Sequence, residues 1–271
     1  MGKQNKNRKS RDVEIIYGKN ACFGCIQGYL DGVRNRDIVA IYILQTKFEE
    51  FYKIIPVNLR PLVQQCNAHD MFVVTHEIDK HQGIAVKVSR FKFTLLETML
   101  SMINNKQECR TDKPLTSSIF LLDRVQDPQN VGNIIRSAYC FGVDGVVLME
   151  HDSCGITSSV VRASAGYSER ILISSVDNVV VALKKMKEIG YWVIGFDVNV
   201  TTSANLTEII AKYDKCVFIF GSEGSGMKDL TKKHCDLIIK LSMVPSAESL
   251  NVANTAAIVG WEIMKRKSPS W

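Results

Sequence analysis

The sequence predicts an α/β fold in which a mostly parallel sheet, helices on both faces, follows a smaller α/β unit. Three observations carry this. From residue 118 onward, apolar runs of strand length alternate with segments of helical spacing. Those runs, SIFLLD, GVVLM, ILIS, YWVIGF, CVFIFG and DLIIKL, are apolar throughout, as strands buried on both faces must be. A shorter alternation precedes them, joined through the polar stretch NNKQECRTDKPLTS, which suits a connection.

Taken in order, residues 1–11 carry Lys3, Lys6, Arg8, Lys9 and Arg11 and no acid, and much of the net charge of +6 arises there. By composition the segment is a disordered tail or a basic arm for phosphates. Residues 12–89 form the first unit. In it DIVAIYIL, from Asp37 to Leu44, reads as a buried strand, KFEEFYKII and LRPLVQQC show helical spacing, and MFVVT, from Met71 to Thr75, reads as another strand. TLLETMLSMI is a helix at the start of the second region, 90–271.

The 271 residues are enough for two cores, and 46% hydrophobic with 23% charged residues is the composition of a folded protein. No apolar run approaches the ~20 residues of a membrane span, and the N-terminus lacks an apolar signal segment. A cytoplasmic protein with no membrane contact is expected. The eight cysteines are scattered, several within apolar runs, which points to reduced core thiols, Cys109 among them. CFGC at Cys22 to Cys25 has metal spacing, but no second Cys or His pair follows at zinc distance, so no metal is expected.

Ligands of parallel sheets gather at the carboxyl ends of strands, and three segments there are rich in polar residues. In DPQNVGNIIRSAYCFG, with Asn130 taken as a helix N-cap, Val131, Ile134, Ile135, Ala138 and Phe141 share one face while Arg136 lies on the other beside Gly132. Arg136 is placed either for solvent or for a phosphate near the positive helix end. In GSEGSGMKDL, glycines 221, 224 and 226 allow close backbone approach and flank Glu223. The segment is neither a P-loop nor a dinucleotide fingerprint. In LSMVPSAESLNVANTAAIVGWEIMKRK, a Pro-containing loop leads into a long helix on which Val252, Ala256, Val259 and Ile263 recur at helical spacing, with Ser249 and Asn251 at its start, where capping explains both.

These three segments, with Asn130, Gly132 and Arg136 in the first, GSEGSGM in the second and SLNVA in the third, resemble the three motifs of the SpoU (TrmH-like) RNA ribose 2′-O-methyltransferases of the SPOUT class. IIYGKNACFGCI and HQGIAVKV resemble the L30e-like substrate-binding domain that precedes many such catalytic domains, and the whole is most similar to the RlmB type, which modifies a guanosine of 23S rRNA.

The resemblance implies a deep C-terminal trefoil knot, S-adenosyl-L-methionine as cofactor, and a homodimer with the site at the subunit interface. It also implies RNA rather than DNA as partner, a 23S rRNA or large-subunit precursor. Arg136, Asn130, Glu223, Ser249 and Asn251 then correspond to the catalytic set, and Gly221, Leu241, Met243 and Leu250 to the cofactor contacts. Ser242, Pro245 and Ala253 depart from the family pattern around the adenosyl group. A guanidinium stays protonated, so Arg136 is expected to bind a phosphate and stabilise developing alkoxide charge. Lys19, Arg34, Arg36, Lys87, Arg162 and Arg170 are candidate RNA contacts. A tRNA-directed enzyme and a non-enzymatic RNA-binding protein are the alternatives.

Overall fold

A computed structural model describes residues 13–33, 35–108, 117–200, 205–244 and 246–267. The basic arm at 1–11, Arg34, Cys109 and Pro245 lie outside them. In chain order the elements are β1 (Val13–Tyr17), α1 (Lys19–Leu30), β2 (Ile38–Leu44), α2 (Phe48–Tyr52), β3 (Val63–Cys66), α3 (Ala68–Thr75), β4 (Ile84–Ser89) and α4 (Leu96–Glu108). Then come β5 (Ser117–Asp123), α5 (Pro128–Cys140), β6 (Gly145–Met149), α6 (Ser158–Ala163), β7 (Leu172–Val176), α7 (Val179–Glu188) and β8 (Trp192–Phe196). The chain continues through α8 (Leu206–Lys212), β9 (Lys215–Gly221), α9 (Asp229–Lys232), β10 (Leu237–Ile239) and α10 (Val252–Lys267).

Two compact units result: one of residues up to Lys92 with Ile156–Arg170, the other of Phe93–Gly155 with the chain from Ile171 on. Residues 156–170, inside the region expected as 90–271, thus pack with the first unit.

The first unit has a four-stranded sheet in the order β1-β4-β2-β3, antiparallel except for the parallel β2–β3 pair. Around residues 57–75 the expected elements are exchanged. MFVVT lies in helix α3, which Asn67 caps by accepting from Asp70 N at 2.9 Å, while the strand is the preceding VQQC. A five-residue apolar run fits either period, and here the cap and the parallel pairing with β2 decide.

Residues 156–170 are held by close backbone packing and by one buried cation. Gly24 and Gly28, one turn apart on α1, face the turn at 166–169: a Cβ would sit 2.4 Å from Gly166 Cα at the first and 2.1 Å from the Glu169 carbonyl oxygen at the second. Both obstacles are backbone, so neither can rotate away. Gly28→Ala is expected to lower unfolding free energy by about 1–3 kcal/mol despite alanine's better helix propensity, measured by urea unfolding.

Arg36, expected among the RNA contacts, is 3% exposed. Its guanidinium donates to Glu169 Oε1 and Glu14 Oε2, each at 3.1 Å, to Ser89 O at 2.9 Å and to Ile156 O at 2.5 Å. Four acceptors inside the protein leave it no role at a phosphate. Arg162, another candidate, lies over the Tyr17 ring at 4.3 Å.

The second unit has a six-stranded, wholly parallel sheet in the order β10-β8-β9-β5-β6-β7. Its strands are the apolar runs that the sequence marks out, and β5 is buried along its whole length. Ile119, Leu121, Val147, Val193, Val217 and Ile219 pack with Leu183 and Met186 of α7 and with Met99 and Ile103 of α4. Phe120 sets its ring edge-on to Phe218 and Phe220, with Phe196 stacked on Phe220 at 5.3 Å. Helix α10 buries Val252, Ala256, Val259 and Ile263 and packs along α5, where Gly260 admits the Phe141 ring. Among the described residues no helix is long and apolar enough to cross a membrane.

Candidate active site

A cavity of about 430 Å³ opens in the second unit at the carboxyl ends of β8, β9 and β10, where ligands of parallel sheets bind. Three segments line it: Phe196–Asn199 after β8, Phe220–Gly226 after β9, and Ile239–Met243 with Ser249–Thr255 after β10. Gly221, Leu241, Met243 and Leu250 are all on its wall, as are Glu223, Ser249 and Asn251. Asn130 and Arg136 are not.

The loop after β9 is folded back on itself. Gly226 N donates to Ser222 O at 2.9 Å, Gly226 takes φ +63°, and a Cβ on Gly221 would lie 2.3 Å from the Gly226 carbonyl carbon. Glycine is required at 221 by the close approach and is favoured at 226 by the backbone angle. The hairpin so formed presents Glu223.

Helix α5 begins earlier than Asn130. Asp127 is the N-cap, its Oδ1 accepting from Gln129 N at 3.1 Å, and Pro128 takes the first helical position, where proline's fixed φ and missing N–H cost nothing. Asn130 therefore sits in the first turn, 6% exposed, with its amide free for other work. Its Nδ2 donates to Glu223 Oε1 at 2.5 Å, and its Oδ1 accepts from Asn251 Nδ2 at 3.1 Å. Asn251 Nδ2 also donates to Glu223 Oε1, at 2.9 Å, while its Oδ1 caps α10 by accepting from Ala253 N at 2.8 Å. One asparagine thus both starts the helix and closes a three-residue ring. Glu223, Asn130 and Asn251, 121 residues apart at the extremes, converge on one carboxylate.

Arg136 does not join them. It is exposed and makes no hydrogen bond or ion pair with any described residue. Six residues beyond Asn130 on the same helix, it stands roughly 9 Å further along the axis. Gly132 is buried rather than opening space beside it. Ser249 is exposed on the cavity wall with no hydrogen bond to a described residue.

Four residues that the motifs do not mark also shape the site. Lys232 Nζ reaches Asp197 Oδ2 at 2.5 Å across the cavity wall, and Asn199 N donates to Asp197 Oδ1 at 2.9 Å. Burial pushes the Asp197 carboxyl up, but the Lys232 and Asn199 hydrogen bonds outweigh it and hold the group below the ordinary carboxylate value. The Asp197 hydrogen bond raises Lys232 in turn, so the pair is ionised at neutral pH. Asp123 and Arg124, at the end of β5, grip the β9 loop. Asp197 directly follows an apolar strand run, the position where a sheet displays functional side chains. Lys232 sits in a four-residue helix with no sequence signal at all.

The cavity suits a ligand of nucleoside size. Its volume falls in the range of about 300–1,000 Å³ typical of small-molecule sites. Phe196, Phe220, Ile239, Leu241, Met243 and Leu250 give it apolar walls, with Asp197 and Glu223 as carboxylates and Lys232 and Lys240 as cations on the same lining.

Known proteins resemble this chain in sequence and in fold. YacO of Bacillus subtilis, a protein assigned to the TrmH family of tRNA/rRNA methyltransferases, is 32% identical over 193 residues, 70% of this chain and 72% of that one. The AdoMet-bound rRNA methyltransferase of Sinorhizobium meliloti superposes with a TM-score of 0.72 at 20% identity over 98% of this chain and 91% of that one. The SpoU methyltransferase AviRb of Streptomyces viridochromogenes, in complex with AdoMet, gives 0.71 at 17% identity over 99% and 96%. A sequence profile of the SpoU rRNA Methylase family matches residues 117–261, the stretch that holds the cavity, the hairpin and the three converging side chains, and the chain belongs to that family.

Proposed function

We propose that this RNA methyltransferase of the SpoU family methylates a ribose 2′-hydroxyl with S-adenosyl-L-methionine as donor, and that its substrate is a guanosine of 23S rRNA, as in the RlmB type. The observation that carries the reading is the Asn130–Glu223–Asn251 ring at the mouth of a cavity of nucleoside size. An rRNA target is favoured by likeness over nearly the whole chain, first unit included, to an rRNA methyltransferase.

When bound, S-adenosyl-L-methionine supplies an electrophilic methyl group on a sulfonium. Gly221, Leu241, Met243 and Leu250 would hold its nucleoside part through backbone and apolar contacts. Much of the rate in such a displacement comes from alignment. Glu223 receives both asparagine amides on Oε1, so its carboxylate cannot swing, and Oε2 has no hydrogen bond within the described residues. That free oxygen is placed to accept from the ribose hydroxyl and orient it. Arg136 would bind the target phosphate and stabilise the alkoxide as it forms, and Ser249, on the cavity wall, would contact the ribose or the donor.

Within one chain Arg136 stands apart from this ring, and it becomes part of the site in a homodimer that brings α5 of a second copy to the cavity. Exposed apolar side chains on the neighbouring helix suit such pairing. On α10, next to α5, Ile258 is 43% and Trp261 47% exposed, with the Trp261 ring against Phe141 at 5.9 Å. The C-terminal knot belongs to the same proposal. It is supported by the path from β10, at the sheet edge, back past β8 and β9 to a helix that packs on α5 and β9.

Titration calorimetry with S-adenosyl-L-methionine is expected to give one site per chain, and mapping of 2′-O-methyl groups in RNA from cells with and without the protein is expected to show one lost guanosine methylation in 23S rRNA. A lost tRNA mark would transfer the substrate to tRNA. Absence of cofactor binding would overturn the enzymatic reading.

A further inference from the structure

We infer that Asp123 and Arg124 are positioning residues for catalysis, a clamp at the end of β5 that sets the β9 hairpin so that Glu223 meets its two amides. The inference rests on the role proposed above for Glu223.

The clamp is built from two neighbouring residues that grip the same hairpin from different sides. Asp123, 1% exposed, pairs with Gly221 in the sheet register, and its Oδ2 accepts from Lys228 N at 3.0 Å. Arg124 Nη2 donates to Gly226 O at 3.1 Å and Nη1 to Ser225 Oγ at 3.3 Å. Ser225 Oγ is in turn 2.8 Å from Ser222 Oγ. Ser222, Ser225, Gly226 and Lys228 are therefore tied, directly or through one hydroxyl, to these two residues.

Arg124 makes these contacts from a backbone angle that disfavours it. Its φ is +62°, in the left-handed region where a side chain clashes with its own carbonyl and where glycine is at ease. A turn needing only that geometry would be better served by glycine. At that angle its side chain holds the hairpin of Glu223. The salt link within the pair, Arg124 Nε to Asp123 Oδ1 at 3.4 Å, keeps both groups in the gripping orientation.

Arg124→Gly separates fold from function, because it removes the clamp and also relieves the left-handed strain. Its thermal midpoint is expected to equal or exceed that of the wild type. With tritiated S-adenosyl-L-methionine and RNA from cells lacking the protein, kcat is expected to fall roughly ten- to hundredfold, as misplacement of a catalytic group does. KM for the donor should move by much less. Arg124→Lys, which retains one donor, should recover part of the loss.

The decisive measurement is the double variant. If Arg124 acts through Glu223, then Arg124→Gly has little further effect on kcat in a Glu223→Ala background, because the two losses are not additive. Equal losses in both backgrounds, or wild-type kcat in Arg124→Gly beside an impaired Glu223→Ala, would overturn the inference and leave the proposed activity standing. An unimpaired Glu223→Ala enzyme would instead remove the role of Glu223, and the clamp with it.

Discussion

A heterodimer of one Arg136→Ala chain and one Glu223→Ala chain is expected to show about half of wild-type activity, although each variant alone is nearly inactive. Two different affinity tags on co-expressed chains, purified in succession, isolate that species. If each site takes Glu223 from one subunit and Arg136 from the other, the heterodimer has one site with both lesions and one with neither.

The expectation follows from positions within a single chain. Glu223 is bound to Asn130 in the first turn of α5, and Arg136 lies on the same rigid helix, exposed and without a polar partner among the described residues. Arg136 thus takes no part in the Glu223 network of its own chain, and a second copy of α5 is the expected source of the guanidinium. If Arg136 acted on its own chain's site, both sites of the heterodimer would carry one lesion and the preparation would be inactive. If the protein is monomeric, no doubly tagged species is recovered. Either result would remove the shared site.

How far such an arrangement is legible in sequence depends on whether a residue's partner is local. The strands of the second unit stand out because each is buried on both faces by sheet geometry alone, and no distant residue has to be known. The Glu223 hairpin shows for the same reason: its glycines answer to a backbone angle and a close approach within six residues. MFVVT and VQQC are exchanged because runs so short satisfy either period, and the parallel partner that makes VQQC a strand lies more than twenty residues upstream. Asn130 is read as the cap because its residue type suits one. Asp127 followed by Pro128 is the stronger start signal, and it frees Asn130 for Glu223. Arg36 and Lys232 are beyond such reading, since a buried ion pair across 133 positions, or a lysine in a four-residue helix, leaves no periodic trace.

Arg36→Ala is expected to lower unfolding free energy by about 3–5 kcal/mol, as removal of one partner from a buried ion pair does. Glu169, 3% exposed, would remain without its guanidinium, and the Ile156 and Ser89 carbonyls would lose a charged donor. The pH dependence carries a further signature. Burial raises the Glu169 carboxyl to about 7 even against the opposing charge of Arg36, whereas in the unfolded chain it titrates near about 4.3. A carboxyl raised in the folded state contributes stability below its unfolded pKa, and that contribution is lost as pH rises through the folded value. In wild type the loss is complete not far above pH 7. In Arg36→Ala the folded value climbs further, so the loss continues, and the gap between variant and wild type should widen as pH is raised above about 7. Urea unfolding at pH 6 and pH 8 measures both effects. Arg36→Met with Glu169→Leu should stand much closer to wild type, because replacing a buried pair by apolar groups of similar volume removes the desolvation of two charges along with their attraction. A loss below about 1 kcal/mol for Arg36→Ala would mean that glycine packing on α1, and not this cation, holds residues 156–170 in the first unit.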